Sequence, residues 1–193
     1  MRPLGSKYKD AEASTGGFEK LPAGGYVCKI TEARDCPVGF NDQDPTKGDY
    51  IAVVFDIAEG PFKGYYDDDF GKEHKSAHTY YASYRDDNFN RFKGFLKAID
   101  ESNTGTTFAE QAINGLKEQQ LVGKLVGILM GEEEYNSNYG DVRVNVKARN
   151  VCSAERIRKG DFQVPKLRKL KEAPAAPAIP SGFTAITDDD LPF

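Results

Sequence analysis

Alternation of apolar and polar side chains is sharpest between residues 49 and 58. There Ile51, Val53, Phe55 and Ile57 hold one parity while Tyr50, Ala52, Val54 and Asp56 hold the other. A period of two is that of a β-strand with one face on a core. Tyr26, Cys28 and Ile30 against Val27, Lys29 and Thr31 predict a half-buried strand over 26–34, launched by the turn Leu21-Pro22-Ala23-Gly24-Gly25. After the break at Glu59-Gly60-Pro61, residues 62–66 are expected to return antiparallel to 49–58. The run Asp67-Asp68-Asp69 with Gly71 is expected to end that strand, and 79–84 to continue the sheet. The period then changes. Phe89, Phe92, Phe95, Leu96 and Ile99 recur at helical spacing behind the N-cap candidates Asp86 and Asp87, so a helix with a core-facing aromatic stripe is expected. A second helix or irregular helical turns should follow over 108–120. The apolar run 121–130, with Gly123, Gly127 and Gly131, suits a buried, curved strand in which glycine marks a bend or bulge. Residues 132–140 read as a polar hairpin loop carrying Tyr135 and Tyr139. Beyond it Val142, Val144, Val146 and Ala148 alternate with Arg143, Asn145, Lys147 and Arg149, giving a final strand with one apolar and one basic face.

With 62–66 and its continuation at 79–84 counted as one, three strands, a helix and two strands make the chain mainly β and match the five-stranded Greek-key barrel of the OB-fold, with the helix between strands 3 and 4. Other small barrels share that order. The predicted organisation is a flexible arm over 1–20, the barrel over 21–160, a basic then Ala/Pro-rich linker over 161–187, and an acidic tip over 188–193. The linker and tip form a disordered C-terminal tail. Pro174, Pro177 and Pro180 favour extended backbone, so 172–187 could span roughly 40–50 Å at about 3.1 Å per residue.

Composition and charge narrow the class. The 193 residues suffice for one substantial core. No run approaches the ~20 apolar residues that span a bilayer, and the first residues lack the apolar segment of a secretory signal. Cys28, Cys36 and Cys152 make no disulfide framework, as expected in a reducing compartment. A cytoplasmic, non-membrane protein is therefore expected. The net charge of −4 conceals a strong segregation. Between Arg143 and Lys171 stand ten Lys or Arg against Glu155 and Asp161, and the sign then reverses at Asp188-Asp189-Asp190. A basic stretch followed by an acidic tip suggests a polyanion site with a built-in competitor.

An OB barrel binds oligonucleotides, and a single strand of nucleic acid needs cations that track its phosphates and flat rings on which bases stack. The candidates for charge are Lys29, Arg143, Lys147 and Arg149. The candidates for stacking are Phe40, Tyr50, Tyr65, Tyr66, Tyr80, Tyr81, Tyr135 and Tyr139, each of which half-buried packing would also explain. Catalytic chemistry has no visible residues. Asp67, Asp68 and Asp69 alternate faces on a strand and do not converge on one ion, His74 and His78 lack the Glu of a metalloprotease helix, and Cys28 and Cys36 lack Cys-x-x-Cys spacing. Neither cofactor nor metal is expected.

The tip Asp188-Asp189-Asp190-Leu191-Pro192-Phe193 resembles the acidic C-terminal peptide of bacterial single-stranded DNA-binding proteins, which ends in acidic residues, an apolar residue, Pro and Phe. Leu21 to Tyr26, Phe55 to Gly64 and Phe92-Lys93-Gly94-Phe95-Leu96 are similar to segments of phage- and prophage-encoded single-stranded DNA-binding proteins, a likeness spanning roughly residues 18 to 151. The resemblance implies an OB-fold protein without catalysis that coats single strands and recruits replication, recombination and repair proteins through the tip. It departs from the cellular type in the long segment between strand 3 and the helix and in having no Trp. The rival reading is a protein-interaction module or decoy that displays such a tip without binding DNA. Exposed edges of a small barrel can pair into homo-oligomers, and the sequence does not choose among them.

Overall fold

In a computed structural model the described residues are 20–37 and 48–170, with residues 69 and 70 described by backbone alone. Five strands form one antiparallel sheet in the order β3-β2-β1-β4-β5. They are β1 (Gly24–Cys36), β2 (Tyr50–Ile57), β3 (Thr79–Ser83), β4 (Leu125–Asn136) and β5 (Val142–Cys152). Among the described residues the α-helices are α1 (Asp69–Glu73), α2 (Phe89–Ser102), α3 (Phe108–Gln111) and α4 (Ala154–Lys159). The architecture is thus mixed α/β rather than mainly β, with α2 between β3 and β4 as expected. Among the described residues no backbone pairing joins the outer strands β3 and β5, so barrel closure is not observed. Among the described residues no helix is long and apolar enough to cross a membrane.

The strand β1 organises the sheet because it serves two neighbours. Gly24–Lys29 pair with β4, and Cys28–Cys36 pair with β2. A register shift between Ile30 and Glu32 inserts Thr31, whose hydroxyl donates to the Val54 carbonyl at 3.2 Å. Such a bulge bends a strand and lets it leave one partner for another. Inward side chains of β1, β2 and β4 then meet α2. Cys28, Ile30, Val53, Phe55, Ile128 and Met130 pack with Phe95, Leu96 and Ile99, all nearly inaccessible to solvent. Asp100 fixes the next element by accepting the Phe108 and Ala109 N–H groups at 2.8 and 3.0 Å, which caps α3 and buries Phe108.

Several expectations are corrected. Residues 62–66 form turns rather than a strand. Gly60 and Gly64 take positive φ, Asp56 Oδ1 accepts the Tyr66 N–H at 3.0 Å, and the rings of Phe62, Tyr65 and Tyr66 fold back onto the core. Asp86 and Asp87 do not cap α2, because a 3₁₀ turn over Asp86–Asn88 leads into the helix and makes Asn88 the N-cap residue. Phe89, at the start of the aromatic stripe, is 54% exposed, while Phe95 is wholly buried. Residues 132–136 belong to β4 and not to a loop.

The glycines of β4 mark close approach and not a bend. A Cβ on Gly127 would lie 2.7 Å from Ile157 Cγ1 and 2.9 Å from the Cys152 carbonyl oxygen, and one on Gly131 would lie 2.8 Å from Pro165 Cβ. Helix α4 and the chain after it therefore press against the outer surface of β4. The bulge itself lies on β5. Leu129 faces Asn150 and Met130 faces Ala148, leaving Arg149 unopposed. Gly160, at φ 70°, ends α4 with the Asp161 N–H donating to the Arg156 carbonyl, a left-handed C-terminal turn. The segment that follows, counted with the linker by composition, runs beside β4. Arg168 exchanges backbone hydrogen bonds with Glu132 and Glu134 at 3.0 and 2.9 Å, and the Leu170 N–H donates to the Glu134 carboxylate at 3.1 Å.

Candidate nucleic-acid interface

The outer edges of β3 and β5, unpaired among the described residues, face each other across a cleft of about 540 Å³. Tyr80 to Ser83 line one side and Lys147 to Asn150 the other. Asn88, Arg91 and Phe92 of the α2 region and Pro165, Lys166 and Arg168 complete the lining. Among the described residues the lining carries five cations, Arg91, Lys147, Arg149, Lys166 and Arg168, against the single carboxylate Glu133. Glu133 is shared, lying 3.4 Å from Arg149 and 3.6 Å from Arg168. Among the described residues Arg91, Lys147 and Lys166 have no carboxylate within ion-pair distance. Such a cleft holds a surplus of positive charge on partly enclosed walls, where charge is screened less than on open surface.

One exposed ring lies beside this charge. Tyr81 points to the outer side of β3 and is 47% exposed, and its inner edge rests on Tyr50 in a T-shaped contact at 5.6 Å. Tyr50 is on the non-core face of β2, as its parity predicts, but it is buried with Cys36 and Ala52 and serves as the support of Tyr81. Burial, with the Cys36 thiol adding, raises the Tyr81 phenol, and the same causes raise Tyr50. Both rings stay neutral at physiological pH, so Tyr81 offers a face without charge.

The remaining candidates separate. Arg143 and Tyr135 are cross-strand neighbours on the β4–β5 ribbon, on the same face as Lys147, and Tyr139 in its turn is 85% exposed. These three extend the surface beyond the cleft, with Arg143 3.7 Å from Asp141. Lys29 does not join it. It sits on β1 opposite Asp56, with β4 between it and β5. Tyr65, Tyr66 and Tyr80 turn inward and their rings are engaged. The Tyr65 hydroxyl accepts the Leu21 N–H at 3.2 Å, Tyr66 stacks on His78 at 4.3 Å, and Tyr80 lies against Phe95 at 5.6 Å. Phe40 and the tip Asp188 to Phe193 lie outside the described residues.

Sequence reasoning missed Arg91 and left Lys166 and Arg168 to the linker. Arg91 was hidden because the helical stripe draws attention to its apolar neighbours. A signal for the other two existed in Gly127 and Gly131, which leave room for a segment lying over β4. Among the described residues no three His, Cys, Asp or Glu side chains converge as metal ligands. No protein-family model matches the chain, and no curated protein is found to be similar to it.

Proposed function

We propose that the chain binds single-stranded DNA between β3 and β5, without catalysis, in phage or mobile-element replication and recombination, and that it recruits partner proteins through Asp188 to Phe193. The observation that carries this reading is the cleft's five cations against one carboxylate beside the exposed ring of Tyr81. Phosphates follow the cations and a base stacks on the ring, a pairing that requires an unpaired strand because duplex DNA hides its base faces. The strand order, with a long bulged β1 serving both β2 and β4, supports the OB-fold Greek-key reading, the cleft being the line along which β3 and β5 stay apart. The tip and the motifs of residues 21–26, 55–64 and 92–96 support the family reading. A chain ending at Ala173 should bind DNA at least as well as the full chain, because the tip's carboxylates compete with phosphate for the same cations.

Fluorescence anisotropy with labelled oligo-dT and with duplex DNA tests the proposal. Preferential, salt-sensitive binding of oligo-dT is expected, with Tyr81→Ala losing about 1–3 kcal/mol for each base stacked on that ring. Equal affinity for both nucleic acids would sink it, and an oligo-dT that never binds would favour the decoy reading.

A further inference from the structure

On the opposite flank of α2 lies a second depression, larger and of different chemistry. It is an open groove of about 1150 Å³ between two helical ridges. Phe89, Phe92 and Leu96 recur along α2 with spacings of three and four residues. Ala112, Ile113 and Leu116 face them from the irregular turns after α3, and Ile51 lines the same groove. Phe89 is 54% and Ile113 84% exposed, so two large apolar side chains stand at the surface with no cover from the described residues. An apolar channel between helical ridges is the shape that receives an amphipathic helix, and a rimmed apolar patch of this kind marks an interaction surface.

The rim chooses the occupant. Asp35, Asp49, Asp86 and Asp87 surround the groove against Arg85 and Lys93. Arg85 is 3.8 Å from Asp87, and Asp35 accepts the Tyr84 hydroxyl at 2.8 Å, which fixes one carboxylate at the edge. This acidic rim disfavours both a phosphate backbone and the chain's own Asp-rich tip. It favours a segment that puts Lys or Arg beside its apolar anchors.

We propose that this groove docks a short amphipathic segment of a partner protein, with apolar anchors on one helical face and Lys or Arg beside them. It is a contact separate from both the DNA cleft and the acidic tip. The two ridges supply the apolar contact area and the four rim carboxylates supply orientation and attraction. The site is independent of whether the cleft binds DNA.

The test uses the full chain and a labelled synthetic peptide with Leu at i, i+3, i+4 and i+7 and Lys elsewhere, beside a twin in which Glu replaces Lys. The Lys peptide should bind at least tenfold more tightly than the Glu peptide. Ile113→Asp, at an exposed site where folding is not at stake, and Phe89→Ser should each weaken binding of the Lys peptide at least tenfold, as should Asp86→Asn with Asp87→Asn. Oligo-dT affinity, measured on the same variants, should not change. Equal binding of the two peptides, binding indifferent to Ile113→Asp and Phe89→Ser, or no binding by the full chain would overturn the proposal. The last result is also what a groove already covered by the chain's own residues would give.

Discussion

Cleft and groove flank the same helix, share Phe92, and are opposite in almost every property. The cleft is polar and cationic, and its walls come from residues as distant in sequence as Tyr81, Arg91, Lys147 and Lys166. The groove is apolar and acid-rimmed, and most of it comes from the continuous stretch between Tyr84 and Leu116. A single helix can divide two recognition surfaces because its side chains at positions one apart diverge around the axis. Arg91 serves one flank and Phe89 with Lys93 the other, while Phe95 and Ile99 anchor the helix between them.

The comparison breaks most completely at Phe95. Its ring is fully buried, touches Tyr80 on the cleft side and Phe92 toward the groove, and cannot be replaced by solvent. Phe95→Ala should cost about 3–5 kcal/mol in urea denaturation and weaken both ligands together. A variant of unchanged stability would mean that α2 is not the common support of the two sites.

Removing charge should affect one site alone. Arg91→Ala, Lys147→Ala and Lys166→Ala together are expected to lower oligo-dT affinity on the order of a hundredfold at low salt and to reduce the slope of log K against log salt by about 2. Peptide binding in the groove should be untouched. A loss of DNA binding with an unchanged salt slope would place the phosphates elsewhere.

The next effect is smaller and reaches the cleft from behind. Gly127→Ala would drive a methyl group into Ile157 and the Cys152 carbonyl, displacing α4 and the segment that carries Lys166 and Arg168. A stability loss of about 1–3 kcal/mol is expected, with weaker DNA binding and an intact groove. Chemical denaturation and the two binding assays separate these outcomes.

The smallest effect should spare both sites. His78 is buried against Tyr66 and Phe55, and its Nδ1 has no hydrogen-bond partner among the described residues. Burial lowers its pKa, Lys75 lowers it further, and Asp56 and Glu32 oppose the shift. The unfolded chain therefore takes up a proton at higher pH than the folded one. The stability contributed by neutral His78 is complete above the ordinary histidine value of about 6.5 and is lost as pH falls from there through the lower folded-state pKa. Urea midpoints at about pH 7.5 and about pH 5.5 should differ less in His78→Phe than in the parent chain. An identical difference in both would assign the pH dependence to other groups.

Legibility from sequence followed how local each feature is. The strand pattern of 49–58 was readable because alternation is enforced within the strand itself. The tyrosines were not. Tyr80 and Tyr81 are neighbours of the same type, and only the pairing of β3 with β2 sends one ring to Phe95 and the other to solvent. Phe89 failed in the opposite sense. Its spacing fits the buried stripe, but it is the first residue of α2 and its ring is exposed. The groove's apolar residues were thus visible as a pattern and assigned to the core.

By itself the sequence determined the strands' parity, the helix between β3 and β4, the basic character of Arg143, Lys147 and Arg149, and the acidic tip. All of these are set by residues close in the chain. The tertiary structure decided which rings turn inward, that Arg91, Lys166 and Arg168 stand beside β5, and that among the described residues no pairing joins β3 to β5. Those outcomes depend on the bulge that lets β1 turn from β4 to β2 and on the bare backbone of Gly127 and Gly131. Both act by bringing together segments that are not neighbours in the chain, Lys29 with Leu125 or Gly127 with Ile157, separations across which local side-chain periodicity carries no information.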